Sequence, residues 1–206
     1  MASLYNIKNV LKKIGSIDDL GQHMCVFGGA TPYLYFNKES NRKHSDIDVL
    51  VDEKYIDKIR QLAQEYNLYK PELDSLNLDL GDDYGLKLFI DGVYVEFEPM
   101  FIDNERFVRK DFSPNREEAG VEIIPFQNIT DIINEIDIDG VKIYCQSPEL
   151  TKIQKERYKR EKDLIDISFI DSQGIDIEKY NRIMKSLELS TTQISSYEEL
   201  KNKKTL

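Results

Sequence analysis

The sequence predicts an α/β (α+β) chain: a small mixed sheet flanked by helices over residues 1–145, with a helical extension over 146–206 packed on that core. Three observations predict it. Residues 24–51 run as an apolar stretch, a glycine pair, a helix-compatible stretch, a polar basic loop and a second apolar stretch, the order of strand, turn, helix, loop and strand. Asp91-Gly92 and Asp139-Gly140 each lie between alternating apolar runs, the strongest short-range hairpin signal. Ser147-Pro148 then opens a charged helical stretch, with serine as cap and proline at the first helical position.

In chain order, residues 4–20 place Tyr5, Ile7, Val10, Leu11, Ile14 and Ile17 at spacings that one helix face can bury, and Gly15 or Gly21 ends the helix. The apolar run 24–27 is a strand that breaks at Gly28-Gly29. In the next strand Ile47, Val49 and Val51 alternate with Asp46, Asp48 and Leu50, so the two aspartates share a face two residues apart. Residues 52–66 read as a helix capped by Asp52, with Tyr55, Ile59, Leu62, Ala63 and Tyr66 as its apolar face. Residues 69–83 read as loop or weak strand, their acidic cluster as a solvated loop. In the hairpin 86–98, Val93, Val95 and Phe97 face one way and Tyr94, Glu96 and Glu98 the other. Residues 102–131 look irregular, with local positive charge at Arg106, Arg109, Lys110 and Arg116 and with Pro114 and Pro125 against any long helix. A second hairpin follows over 136–145, a helix from Ser147 to about Gly174, a further helix over 176–187, and a polar tail.

Composition bounds the function. A chain of 206 residues, 40% hydrophobic and 32% charged, is long enough for one domain with a sizeable core. No apolar run of about 18 residues is present and residues 1–15 lack the apolar centre of a signal peptide, so the expectation is a cytoplasmic protein with no membrane partner. Cys25 and Cys145 sit in apolar runs and read as buried free thiols. A formal charge of -10 gives no general pull toward nucleic acid and suits a small cationic acceptor. The sequence is silent on oligomeric state.

Side-by-side carboxylates repel, and a hard divalent cation with oxygen ligands, Mg2+ or Mn2+, removes that cost. A glycine pair lets the backbone turn sharply beside a phosphate and offers it N–H groups. Gly28-Gly29 followed by Asp46-x-Asp48 in strand context resembles the nucleotidyltransferase superfamily typified by DNA polymerase β. The run Arg42-Lys43-His44-Ser45-Asp46-Ile47-Asp48 is closer still to the branch that adenylylates aminoglycoside and lincosamide antibiotics. YGLKLFIDGVYVEFEPMF resembles that branch's hairpin, which maps the third carboxylate onto Glu96, with Glu98 on the same face as the alternative. KERYKREKDLIDI resembles the K-x7-D element after the catalytic core, where basic residues meet triphosphate.

The resemblance implies a nucleotidyltransferase fold with its catalytic core over 1–145. It makes Asp46, Asp48 and Glu96 the catalytic and metal-holding residues and gives phosphate oxygens to Gly28 and Gly29. Arg42 and His44 become phosphate or acceptor contacts, Lys155, Arg160 and Lys162 triphosphate contacts, and Asp163 the group orienting a basic partner. It implies ATP or another NTP as donor, Mg2+ (or Mn2+) as cofactor, and a hydroxyl of an aminoglycoside- or lincosamide-like small molecule as acceptor. Two readings stand beside it: a toxin-type enzyme modifying transfer RNA or protein, for which a basic groove near residues 106–116 is required, and a non-catalytic nucleotide-binding module. Taken singly, each motif also fits a turn, a polar hairpin face or a solvated helix; their joint order supports the resemblance.

Overall fold

The computed structural model describes residues 2–18, 20–40, 42–68, 70, 85–102, 106–111 and 120–189. Ser3 caps the first helix, α1 (Leu4–Gly15), its side chain accepting from the Asn6 N–H. Strand β1 (Met24–Phe27) leads through a tight 3-10 turn at Gly28–Ala30 into the short helix α2 (Thr31–Tyr35). Strand β2 (Asp46–Asp52) follows. Asp52 caps not a helix but a 3-10 turn, accepting from the Lys54 N–H, and the helix proper, α3, spans Ile56–Glu65.

Next come the hairpin β3 (Leu86–Ile90) and β4 (Val93–Ile102), then β5 (Arg106–Asp111) and β6 (Gly120–Pro125), the one-turn α4 (Ile129–Ile132), and the hairpin β7 (Ile133–Ile138) and β8 (Val141–Gln146). Both Asp-Gly turns form as expected, with positive φ at Asp91, Gly92, Asp139 and Gly140, the conformation that two-residue hairpin loops demand. Three helices complete the described chain: α5 (Pro148–Tyr158), α6 (Glu161–Gln173) and α7 (Ile177–Leu189).

All eight strands join one sheet in the order β6-β5-β4-β2-β1-β8-β7, with β3 also paired to β4. The pairs β2·β4 and β1·β8 are parallel and the others antiparallel, so the sheet is mixed. One face buries Met24, Val26, Ile47, Val49, Val51, Val95 and Phe97 against α1, α3 and Phe169. On the other face, Cys25, Phe27, Leu50, Met100 and Phe107 pack with Leu150, Ile153 and Ile183 of α5 and α7. At roughly 1.5 to 3 kcal/mol for each large apolar side chain, this burial is what fixes the register. Cys25 and Cys145 are free and buried, on opposite faces.

Two expectations are corrected. The stretch 102–131 is not irregular: β5 and β6 pair antiparallel from Arg106↔Pro125 to Asp111↔Gly120 and extend the sheet. The helix opened by Ser147 does not run to Gly174 unbroken. Lys159 adopts a left-handed conformation (φ 52°), ending α5, and α6 restarts with the Asp163 carboxylate accepting from the Arg160 N–H at 3.0 Å. The acidic cluster of 71–83 and the tail beyond 189 lie outside the described residues, as does Arg116. Among the described residues no helix is long and apolar enough to cross a membrane.

Candidate active site

The parallel pairing of β2 with β4 sets the site. Asp48 lies opposite Glu96, Phe27 of β1 lies opposite Asp48, and Lys87 of β3 lies opposite Glu96, so one rung crosses four strands on a single sheet face. One step along on that face, Asp46 lies opposite Tyr94, which in turn faces Phe89. A step the other way, Glu98 lies opposite Leu50. Asp46, Asp48, Glu96 and Glu98 are thus gathered on one side, as the alternation of each strand predicts.

Burial raises the Asp48 carboxyl to about 7, and the charges of Asp46 and Glu96 push the same way against Arg109 and Lys162. Glu98 is raised to about 8, again by burial first, with Arg109 opposing. Arg109, only 8% exposed, lies over the Phe27 ring at 4.8 Å and neutralises part of the floor. Asp46 accepts from the Ser45 hydroxyl at 2.8 Å, and Glu96 is ion-paired with Lys87 at 3.3 Å. Among the described residues no three His, Cys, Asp or Glu groups are drawn together as a ready metal cage.

That excess of negative charge is nonetheless the donor set a hard divalent cation satisfies: carboxylate oxygens only, with one carboxyl held far above its usual range by burial and then by its neighbours. The residues fit the ion that the resemblance implies. Exposed Asp46 and half-buried Asp48 and Glu96 would hold it, displacing the Ser45 and Lys87 contacts.

Both glycines stand where a side chain would be crowded, and Gly28 also needs its backbone freedom. A Cβ at Gly28 would lie 2.2 Å from Asp48 Oδ2, and the residue's φ is +77°. At Gly29 the Cβ would lie 2.0 Å from the Arg42 guanidinium. The turn is therefore roofed by a carboxylate on one residue and a cation on the next.

Arg42 is held there by Asp166 of α6, through Nε to Oδ1 at 2.8 Å and NH2 to Oδ2 at 2.7 Å. Tyr33 donates to Asp166 Oδ1 at 2.9 Å, and Lys155 reaches Asp166 Oδ2 at 2.7 Å and Asp163 Oδ1 at 3.3 Å. Arg160 completes the chain on Asp163, its Nε at 2.7 Å from Oδ2. Lys155 is only 6% exposed and occupied by two carboxylates; Lys162 is exposed, and its charge reaches Asp48. Burial alone raises Asp166, but the Arg42 hydrogen bond and the Lys155 charge outweigh it and hold the carboxyl below its usual range.

His44 is buried, its Nε2 2.9 Å from the Ser40 hydroxyl. Burial and then the Arg42 charge lower its pKa to about 4, so at neutral pH it contributes a hydrogen bond and no charge. Tyr33 and Lys87 carried no expectation from the sequence, Asp166 none beyond its place near the shared helix face, and Arg109 lay in the stretch read as irregular. Asp166 had a signal, three residues after Asp163 on one helix face; Lys87 had one in its cross-strand position within the hairpin.

No protein-family model matches the chain, and no curated protein matches it. Solved structures do. The chain is similar to the lincosamide antibiotic adenylyltransferase LnuA with lincomycin bound, at 21% identity over 83% of this chain and 96% of that one, with a TM-score of 0.54. It is similar to ANT(2'')-Ia in complex with adenylyl-2''-tobramycin, at 15% identity over 87% and 97% of the two chains (TM-score 0.52). The solution structure of the antibiotic-resistance factor ANT(2'')-Ia aligns over 98% of this chain and 95% of that one at 15% identity (TM-score 0.51). At these identities the likeness establishes the fold. The mixed sheet with its flanking helices is a nucleotidyltransferase fold, as the Gly28-Gly29 and Asp46-x-Asp48 resemblance implied.

Proposed function

We propose that the protein is a metal-dependent nucleotidyltransferase that moves a nucleoside monophosphate, AMP when ATP is the donor, onto a hydroxyl of a small cationic acceptor and releases pyrophosphate. The observation that carries this reading is the register of β2 on β4, which sets Asp48 against Glu96 directly beside the Gly28 turn. Asp46, Asp48 and Glu96 would hold Mg2+ or Mn2+, which when bound neutralises triphosphate charge and acidifies the acceptor hydroxyl.

The chain's own residues do the rest. Gly28 and Gly29 would offer their backbone to phosphate oxygens, and Arg42, anchored by Asp166, sets a guanidinium over that turn. Lys162 adds an exposed cation beside Asp48, while Lys155 and Arg160 act through Asp163 and Asp166 to hold α5 and α6 in place. Glu96 would help activate the acceptor hydroxyl, with Glu98 on the same sheet face as the alternative.

LnuA with lincomycin and ANT(2'')-Ia with adenylyl-2''-tobramycin support a lincosamide- or aminoglycoside-like acceptor, and the overall charge of -10 suits a cation. A cytoplasmic location, where NTP is available, completes the reading. An RNA-modifying enzyme is disfavoured because Arg109, a residue its basic groove would use, is buried in the acidic site.

Pyrophosphate release from Mg-ATP, assayed with lincomycin and with tobramycin, tests the proposal. The Asp46→Asn/Asp48→Asn variant, still folded by circular dichroism, should lose roughly 100- to 1000-fold or more. Transfer retained in that variant would refute it.

A further inference from the structure

Phe89 and Tyr94 are large aromatic side chains left 46% and 48% exposed, with ring centroids 4.8 Å apart at 48°. Scattered exposed aromatics are ordinary, but these two touch each other and share the carboxylate face, in the rung that contains Asp46. We infer that this pair is the platform on which the acceptor lies, and that it selects a saturated ring bearing protonated amines. The inference rests on the transferase reading and deepens it.

Sheet order assigns the pair to the acceptor and not to the donor. Along the central rung the strands run β1, β2, β4, β3, carrying Phe27, Asp48, Glu96 and Lys87. Gly28-Gly29, with Arg42 above it, continues directly from β1 at one end. The aromatic pair stands at the β4–β3 end, beyond the carboxylates. In-line displacement at the α-phosphorus puts the entering hydroxyl opposite the departing pyrophosphate. With phosphates on the glycine turn, the hydroxyl arrives from the side of Tyr94 and Phe89.

The chemistry of the surface names the ligand class. Aromatic faces present negative charge density, so the paired rings attract an ammonium laid over them. The C–H face of a saturated ring supplies the apolar contact. Bases of single-stranded nucleic acid also stack on aromatics, but the chain's formal charge of -10 gives their phosphates no general attraction. The Asp91-Gly92 turn that joins the two strands carries an exposed ion pair to α1, Lys13 Nζ lying 3.2 Å from Asp91.

The test follows the Phe89 and Tyr94 ring signals by carbon-13 aromatic NMR of the full chain with Mg2+ and a non-hydrolysable ATP analogue. Tobramycin, lincomycin and a single-stranded RNA hexamer are titrated in separately. Tobramycin or lincomycin should shift both rings, and Phe89→Leu/Tyr94→Leu, which keeps apolar bulk without the π face, should weaken that binding about tenfold. Affinity for the ATP analogue should change less than twofold. Equal affinity in the variant, RNA alone moving the rings, neither antibiotic moving them, or loss of the ATP analogue in the variant would each overturn the platform. If the analogue binds wild type and the rings stay silent, the platform fails and the transferase reading stands. If wild type binds no analogue, both fail.

Discussion

A methyl group at Gly28 would meet Asp48 Oδ2 at 2.2 Å from a backbone with φ +77°, so two independent costs fall on one substitution. Gly28→Ala should destabilise the fold by about 1 to 2 kcal/mol from the left-handed conformation alone and also displace Asp48, read as a lower urea midpoint together with lost pyrophosphate release. Asp166 lies at the centre of the ion network, meeting Arg42, Lys155 and Tyr33. Asp166→Ala removes the carboxylate that holds half-buried Arg42 and leaves buried Lys155 on Asp163 alone, and should cost about 3 to 5 kcal/mol in urea unfolding.

Asp163 and Asp166 have carboxyls held below their usual range. In each, burial pushes upward, while ion pairing, led by Arg160 for Asp163 and by Arg42 for Asp166, pushes further down. Because the unfolded chain then binds more protons in acid, their stabilisation is complete above about pH 4 and is lost as pH falls through the folded values. Urea midpoints measured from pH 6 to pH 2.5 should therefore drop more steeply below about pH 4 for wild type than for Asp166→Asn. Parallel curves would contradict this. At this scale the sequence was legible where pattern implies a face: Asp46, Asp48 and Glu96 lie together because alternation puts them there. Asp166 and Arg42 are 124 residues apart, and no local pattern connects them.

Among the elements, the break between α5 and α6 was the hardest to foresee. Lys155, Lys159, Lys162 and Asp163 have spacings that a continuous helix satisfies, and no glycine or proline marks the stop. Tertiary demand overrides the local preference: with Lys159 left-handed, Asp163 turns back to cap Arg160, and Lys155 reaches both Asp163 and Asp166. Lys159→Gly relieves that strained conformation and should raise stability by up to about 1 kcal/mol, seen as a higher thermal midpoint; a clear fall would mean that the Lys159 side chain holds the junction. Strands β5 and β6 escaped notice because RFVRKD offers only Phe107 and Val108 as apolar residues, one per face. Too few alternations remain to read. The hairpins at Asp91-Gly92 and Asp139-Gly140 were plain because turn chemistry and alternation agree.

Across the whole molecule, one mixed sheet separates two tasks. Its inner face is a continuous apolar core against α1 and α3, and its other face is covered by α5 and α7 only over the part built from Leu50, Met100 and Phe107. The remaining part carries the carboxylates, with the glycine turn at one end and the aromatic pair at the other. The proposed function requires Asp46, Asp48 and Glu96 to hold a divalent ion and a nucleotide together. Calorimetric titration of the full chain with a non-hydrolysable ATP analogue, with Mn2+ and then with chelator, measures this most directly. Binding should require Mn2+ and disappear in Asp46→Asn/Asp48→Asn while the fold persists. Equal affinity in chelator, or in that variant, would contradict the account.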